Sequence, residues 1–125
     1  MKPRLCNGNM NYRTSLAITL LFWPLSGHAS ESIVKSPELE KLFTDVSLYG
    51  VGDKAQVEQI FQKSGVTFYL EGSNSSQGNW KIENNKYCSQ WLPNPSWACY
   101  DVLRDGDAVT FVSSTGTRTP MSLKK

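Results

Sequence analysis

Histidine is almost absent from this sequence: His28 is the only one in 125 residues, and cysteine occurs three times, at Cys6, Cys88 and Cys99. No apolar run approaches the roughly 20 residues that a bilayer-spanning helix needs. No glycine-rich phosphate loop is present, and no stretch is basic enough to suggest nucleic acid. These absences remove whole mechanisms. A tetrahedral zinc set would need all three cysteines together with His28, and two cysteines alone cannot close one. A Ser-His-Asp or Cys-His arrangement would have to be built on His28 alone. The sequence therefore predicts no metal and no cofactor.

His28 itself falls in a segment with the three parts of a secretory signal. Lys2, Arg4 and Arg13 supply positive charge, Leu16 to Trp23 (LAITLLFW) is a short apolar run, and Gly27-His28-Ala29 puts small residues at a cleavage site. A short N-terminal membrane anchor is the competing reading, and Met10 is an alternative start to Met1. Residues 1–29 are expected to be removed as a signal peptide, leaving 30–36 as a flexible leader and 37–125 as one domain. Three of the thirteen basic residues and none of the eleven acidic ones precede Ser30, so the remainder carries −1 rather than the +2 of the whole chain. It also contains no histidine and only two cysteines. The expected protein is periplasmic or secreted, with no membrane span after cleavage and no nucleic-acid partner.

Ser36-Pro37-Glu38 reads as a helix start, with Ser36 as N-cap and Pro37 in the first turn, leading into Leu39, Leu42 and Phe43. Gly50 and Gly52 mark the next break. The stretch 53–65 (DKAQVEQIFQKSG) fits a helix through Val57, Ile60 and Phe61, or a strand feeding the Ser64-Gly65 turn; strand is preferred because the rest of the chain reads as β. From Val66 onward, turn residues recur about every ten positions between runs rich in Val, Phe, Tyr and Trp, the pattern of an antiparallel meander. The run 72–78 is expected as a loop tip. The fold class is mainly β: an antiparallel meander that could close into a small lipocalin-like barrel or half-barrel, with one short N-terminal helix.

Residues 86–100 (KYCSQWLPNPSWACY) decide the register. A turn at Asn84-Asn85 sets Ile82 opposite Tyr87 and Glu83 opposite Lys86. A loop centred at Pro93-Asn94 sets Cys88 opposite Cys99 and Tyr87 opposite Tyr100. A turn at Asp105-Gly106 sets Arg104 opposite Asp107 and Val102 opposite Val109. Alternation then gathers Trp80, Ile82, Tyr87, Trp91, Tyr100, Val102, Val109 and Phe111 on one face as a core. Cys88, Cys99 and Trp97 fall on the other, with Glu83–Lys86 and Arg104–Asp107 as cross-strand ion pairs. Directly opposite cysteines lie within bonding range, so Cys88–Cys99 is read as a structural disulfide of an oxidising compartment. Trp97 either covers that disulfide or, with Pro93, Asn94 and Pro95, forms a binding surface.

Gly78, Trp80, Tyr87, Cys88, Cys99, Tyr100, Gly106 and Asp107, in GNWKIENNKYCSQW…WACYDVLRDGD, resemble small secreted proteins of proteobacteria that carry Gly-x-Trp, a Tyr-Cys strand, a second Cys-Tyr and a Gly-Asp turn. The resemblance implies a periplasmic or secreted β-domain and no activity. The function expected is non-catalytic binding of a protein, an envelope component or a small ligand. A protein is preferred because inward Trp80 and Trp91 argue a filled interior. The alternatives are a glycan-acting enzyme using two of Glu71, Glu83, Asp101 and Asp107, and an envelope assembly or chaperone factor.

Overall fold

Along β3 (Gln56–Phe61) burial alternates: Val57, Gln59 and Phe61 are buried and their neighbours are not. Ile60 would share a helical face with Val57 and Phe61; instead it points away from both, so the ambiguous stretch is a strand. The computed structural model, which describes residues 30–123, shows this strand as part of an eight-stranded closed antiparallel barrel. The strands are β2 (Val46–Val51), β3, β4 (Val66–Glu71), β5 (Asn74–Glu83), β6 (Lys86–Trp91), β7 (Ala98–Asp105), β8 (Ala108–Val112) and β9 (Arg118–Leu123). Each pairs with the next, and β9 returns to β2 through Leu48–Leu123 and Tyr49–Ser122. A short extra strand, β1 (Ser32–Ile33), pairs with the far end of β7. The expected signal peptide, residues 1–29, lies outside the described residues. Within them no helix is long and apolar enough to cross a membrane.

Four expectations outside the hairpin registers need correction. The stretch expected as a flexible leader carries β1, its Val34 N–H donates to Val102 O at 2.8 Å, and Arg118 grips Glu31 with two bonds at 2.6 and 2.7 Å. Ser36 does not cap the helix. Its N–H donates to Asn85 Oδ1, and helix α1 (Glu38–Leu42) begins after Pro37 with no side-chain cap. The break expected at Gly50 lies inside β2; a side chain there would collide with Met121, whose thioether crosses the strand at that point. The run expected as a loop tip is mostly strand: the turn is Gly72-Ser73 alone, and Asn74 to Asn79 pair with β4. Short polar side chains hid that strand.

The Asn84-Asn85 turn forms as expected, with φ of 52° and 59°, both in the left-handed region of a type I′ hairpin. The β5–β6 and β6–β7 registers also match, including Ile82–Tyr87, Cys88–Cys99 and Tyr87–Tyr100. The next hairpin is slipped by two: Gly106-Asp107 is the turn, Asp105 faces Ala108 and Val102 faces Phe111. Gly106 alone has positive φ, 58°, which suits a two-residue turn opening on glycine. A slip of two preserves the faces, so the inward set survives. The ion pairs change: Lys86 bonds Asp101 at 2.7 Å, Lys81 bonds Glu83 at 3.1 Å, and Arg104 Nε donates to Gly106 O.

Helix α1 stoppers one end of the barrel. Leu39, Leu42 and Phe43 are buried. The Phe43 ring lies 4.8 Å from Phe61, 5.1 Å from Tyr87, 5.8 Å from Phe111 and 6.0 Å from Trp80, all within the range of favourable ring contacts. The plugged half is thus filled by aromatic side chains of the plug and four strands.

Candidate functional site

The other half of the barrel is hollow. Its mouth is ringed by the β2–β3, β4–β5, β6–β7 and β8–β9 connections, opposite α1. Beneath them lies a cavity of about 340 Å³, near the lower end of the range for small-molecule sites, about 300–1,000 Å³. Five aromatic residues line it: Tyr69, Tyr87, Trp91, Tyr100 and Phe111. Small polar residues stand across from them, Ser76 opposite Tyr69 and Thr119 opposite Phe111. These are neighbours on adjacent strands, and the small side chains leave space beside the rings that larger ones would take.

Trp91, expected inside, does line the lumen without blocking it. A Cβ built at Gly78, its cross-strand partner, would stand 2.8 Å from Trp91 Cε3 and 2.5 Å from the Gln90 carbonyl oxygen. The indole therefore lies against the bare Gly78 backbone at the cavity wall. Tyr69 meets it edge-on, 6.1 Å between centroids at 79°.

The floor is polar. Gln59 is buried; its Nε2 donates to Thr67 Oγ1 at 3.2 Å and to Tyr87 Oη at 3.1 Å. Thr67 gives its own proton to Ile60 O, so its oxygen must accept from Gln59, and this fixes the amide orientation. Burial pushes the Tyr87 hydroxyl well above the ordinary tyrosine range, against the opposing effect of hydrogen bonds from Ser89 and Gln59. Burial raises Tyr69 too, assisted by the nearby charges of Glu71 and Asp53. Gln59, Thr67 and Ser76 carry no sequence signal; only their inward phase on β3, β4 and β5 could have marked them.

The sequence-predicted residues sit on the outer wall and the rim. Cys88 and Cys99 are bonded, with Cα atoms 4.0 Å apart, and Cys88 is wholly buried although it faces outward. Lys81, opposite Cys88, places its ammonium 4.5 Å from the Trp97 ring centre, so lysine and indole close over this part of the wall. Trp97 remains 40% exposed. Pro93, Asn94 and Pro95 form the exposed β6–β7 connection, held by Gln90 Nε2 to Pro95 O and Ser96 N–H to Asn94 Oδ1. Leu92, 61% exposed, lines the cavity from this same loop. The four candidate catalytic acids are not brought together: Glu83 and Asp101 are in outer-wall ion pairs, Glu71 Oε1 accepts from Lys54 N–H at the rim, and Asp107 is in the turn at the plugged end. No carboxylate among the described residues lines the cavity. Among the described residues no three His, Cys, Asp or Glu side chains come together as metal ligands.

Comparison with known protein families, with curated proteins and with solved structures returns no match. What stands of the resemblance to secreted proteobacterial proteins is the disulfide-stapled β-meander itself. The disulfide is consistent with an oxidising compartment.

Proposed function

We propose that this chain is an exported, non-catalytic binding domain of the periplasm or extracellular space that holds a small ligand in the open half of its barrel. The observation that carries the reading is the aromatic-lined cavity of about 340 Å³ at the mouth, edged by Leu92 and floored by the Gln59–Tyr87 pair. A barrel interior that is plugged at one end and hollow at the other suits capture of one small molecule. A filled interior would favour a protein partner instead, and only the plugged half is filled. The absence of carboxylates from the cavity lining weighs against a glycan-cleaving role, which needs two flanking the bond.

The test is mass spectrometry of protein isolated from its own host. A discrete added mass of a few hundred daltons under native conditions, lost on denaturation, is the expected result. Bare protein, in preparations never exposed to denaturant or detergent, would remove the support. A second reading uses the rim itself: Leu92 and Trp97 are exposed together with the Pro93-Asn94-Pro95 loop between them, a compact surface for a protein or envelope partner. Under that reading Trp97→Ala releases a co-purifying partner while cavity binding is unchanged.

A further inference from the structure

Granting that the cavity binds a small molecule, we infer the class it takes: an uncharged planar aromatic molecule bearing a hydroxyl or N–H that reaches the Gln59–Tyr87 floor. Three features of the cavity converge on this class.

The first is shape. The Trp91 ring packs closely on Gly78 at the cavity wall, and the Tyr69 ring stands nearly perpendicular to it. Rigid rings held at right angles in a cavity wall offer both faces and edges to a guest, and a flat ring gains more from them than a flexible chain does.

The second is the floor. Both bonds recorded for Gln59 use its amide N–H groups, and the carbonyl oxygen Oε1 is left facing the cavity. Tyr87 Oη accepts from Gln59 and also bonds Ser89, and of the two hydroxyl protons of that pair one is left to give into the cavity. An acceptor and a donor therefore sit side by side, joined by a 3.1 Å bond. One hydroxyl on a ring satisfies both, donating to Gln59 Oε1 and accepting from Tyr87. An apolar ligand leaves them unpaired, which a buried site penalises.

The third is charge. Among the described residues no lysine or arginine lines the cavity, so a carboxylate or sulfonate would be buried there without a partner. Glu71 and Asp53 bear on Tyr69 from the rim and repel an anion at the entrance. Fatty acids fail on both counts.

Fluorescence and calorimetric titration of the intact, disulfide-bonded protein with 2-naphthol, naphthalene, 2-naphthoate and laurate tests the class. Expected is 2-naphthol binding at least tenfold tighter than each of the other three. In Gln59→Leu the preference for 2-naphthol over naphthalene should fall to near unity. Ser76→Phe, which fills the mouth from a wall position that already accepts solvent, should abolish binding of 2-naphthol while leaving the thermal midpoint close to wild type; it keeps the test open if Gln59→Leu does not fold. Naphthalene, naphthoate or laurate binding as tightly as 2-naphthol would overturn the ligand class and leave a small-molecule binder standing. Failure of all four to bind folded protein would overturn the class and the binding reading together. Undiminished 2-naphthol binding by Ser76→Phe would place the site elsewhere and overturn the inference.

Discussion

The Tyr87 hydroxyl is buried at the floor of the cavity, accepts a bond from Gln59, and has its acidity suppressed by that burial. Its pH consequence has a definite sign. Below the unfolded-state tyrosine pKa, about 10, both states hold the proton and nothing is lost. Above it, the unfolded chain releases a proton that the native state retains, so stability falls as pH rises. Urea midpoints should therefore drop between roughly pH 10 and pH 11 in wild type, and drop less in Tyr87→Phe; equal slopes in the two proteins would refute the assignment. Phe43 is the other residue on which much depends. Its ring touches Phe61, Tyr87, Phe111 and Trp80, and truncation to alanine should cost about 3–5 kcal/mol in chemical denaturation. Its role was partly legible: a short helix ending in Leu42-Phe43 was evident, but spacing along the chain cannot say that the helix end enters a barrel. Gln59 was invisible for a related reason. A polar residue between Val57 and Phe61 looks like a solvent position until the strand is known to face inward.

At the scale of elements, the ladders differ in strength. Only Tyr87, Cys88 and Ser89 of β6 pair with β7 before the chain leaves for the Pro93-Asn94-Pro95 loop, and the disulfide ties this short seam. Cys88→Ser with Cys99→Ser should lower stability by roughly 3 kcal/mol, the loop-closure value for a loop of this size, read from urea unfolding, with cavity binding retained at low temperature. Gly78→Ala should destabilise by about 1–3 kcal/mol and shift the tryptophan emission, because the added methyl meets Trp91 and the Gln90 carbonyl. An unchanged spectrum would mean the indole does not rest on Gly78. This central region was the most legible part of the sequence, since two-residue turns and alternation fix each other's register and Cys88 and Cys99 had to agree. The third hairpin shows the limit: Asp-Gly and Gly-Asp turns both preserve which face is inward, so the pattern could not distinguish them. The polar run of β5 was missed because its short polar side chains look like a loop, and the glycine inside β2 because it is shaped by a neighbour distant in sequence, Met121 on β9.

For the whole molecule, closure depends on the first and last barrel strands meeting, and among the described residues they do so through Leu48–Leu123 and Tyr49–Ser122. Native-state hydrogen exchange should find β9 opening first on this side, with β4 to β6, whose ladders run along most of each strand, opening last. A uniform protection pattern would contradict that order. Occupancy of the cavity should raise the thermal midpoint with ligand concentration, since only the closed barrel has a cavity to fill. The two ends of the described chain also share a location. Ser30 lies beside Arg104, Asp105 and Gly106, and the Leu123 N–H donates to Asp107 O. Both therefore reach the turn at the stoppered end, the full length of the barrel from the mouth. A tether joined to either end, whether a fusion partner, an affinity tag or a solid support, leaves the opening facing away from its point of attachment. The molecule can be held by its base with its cup still open to solution.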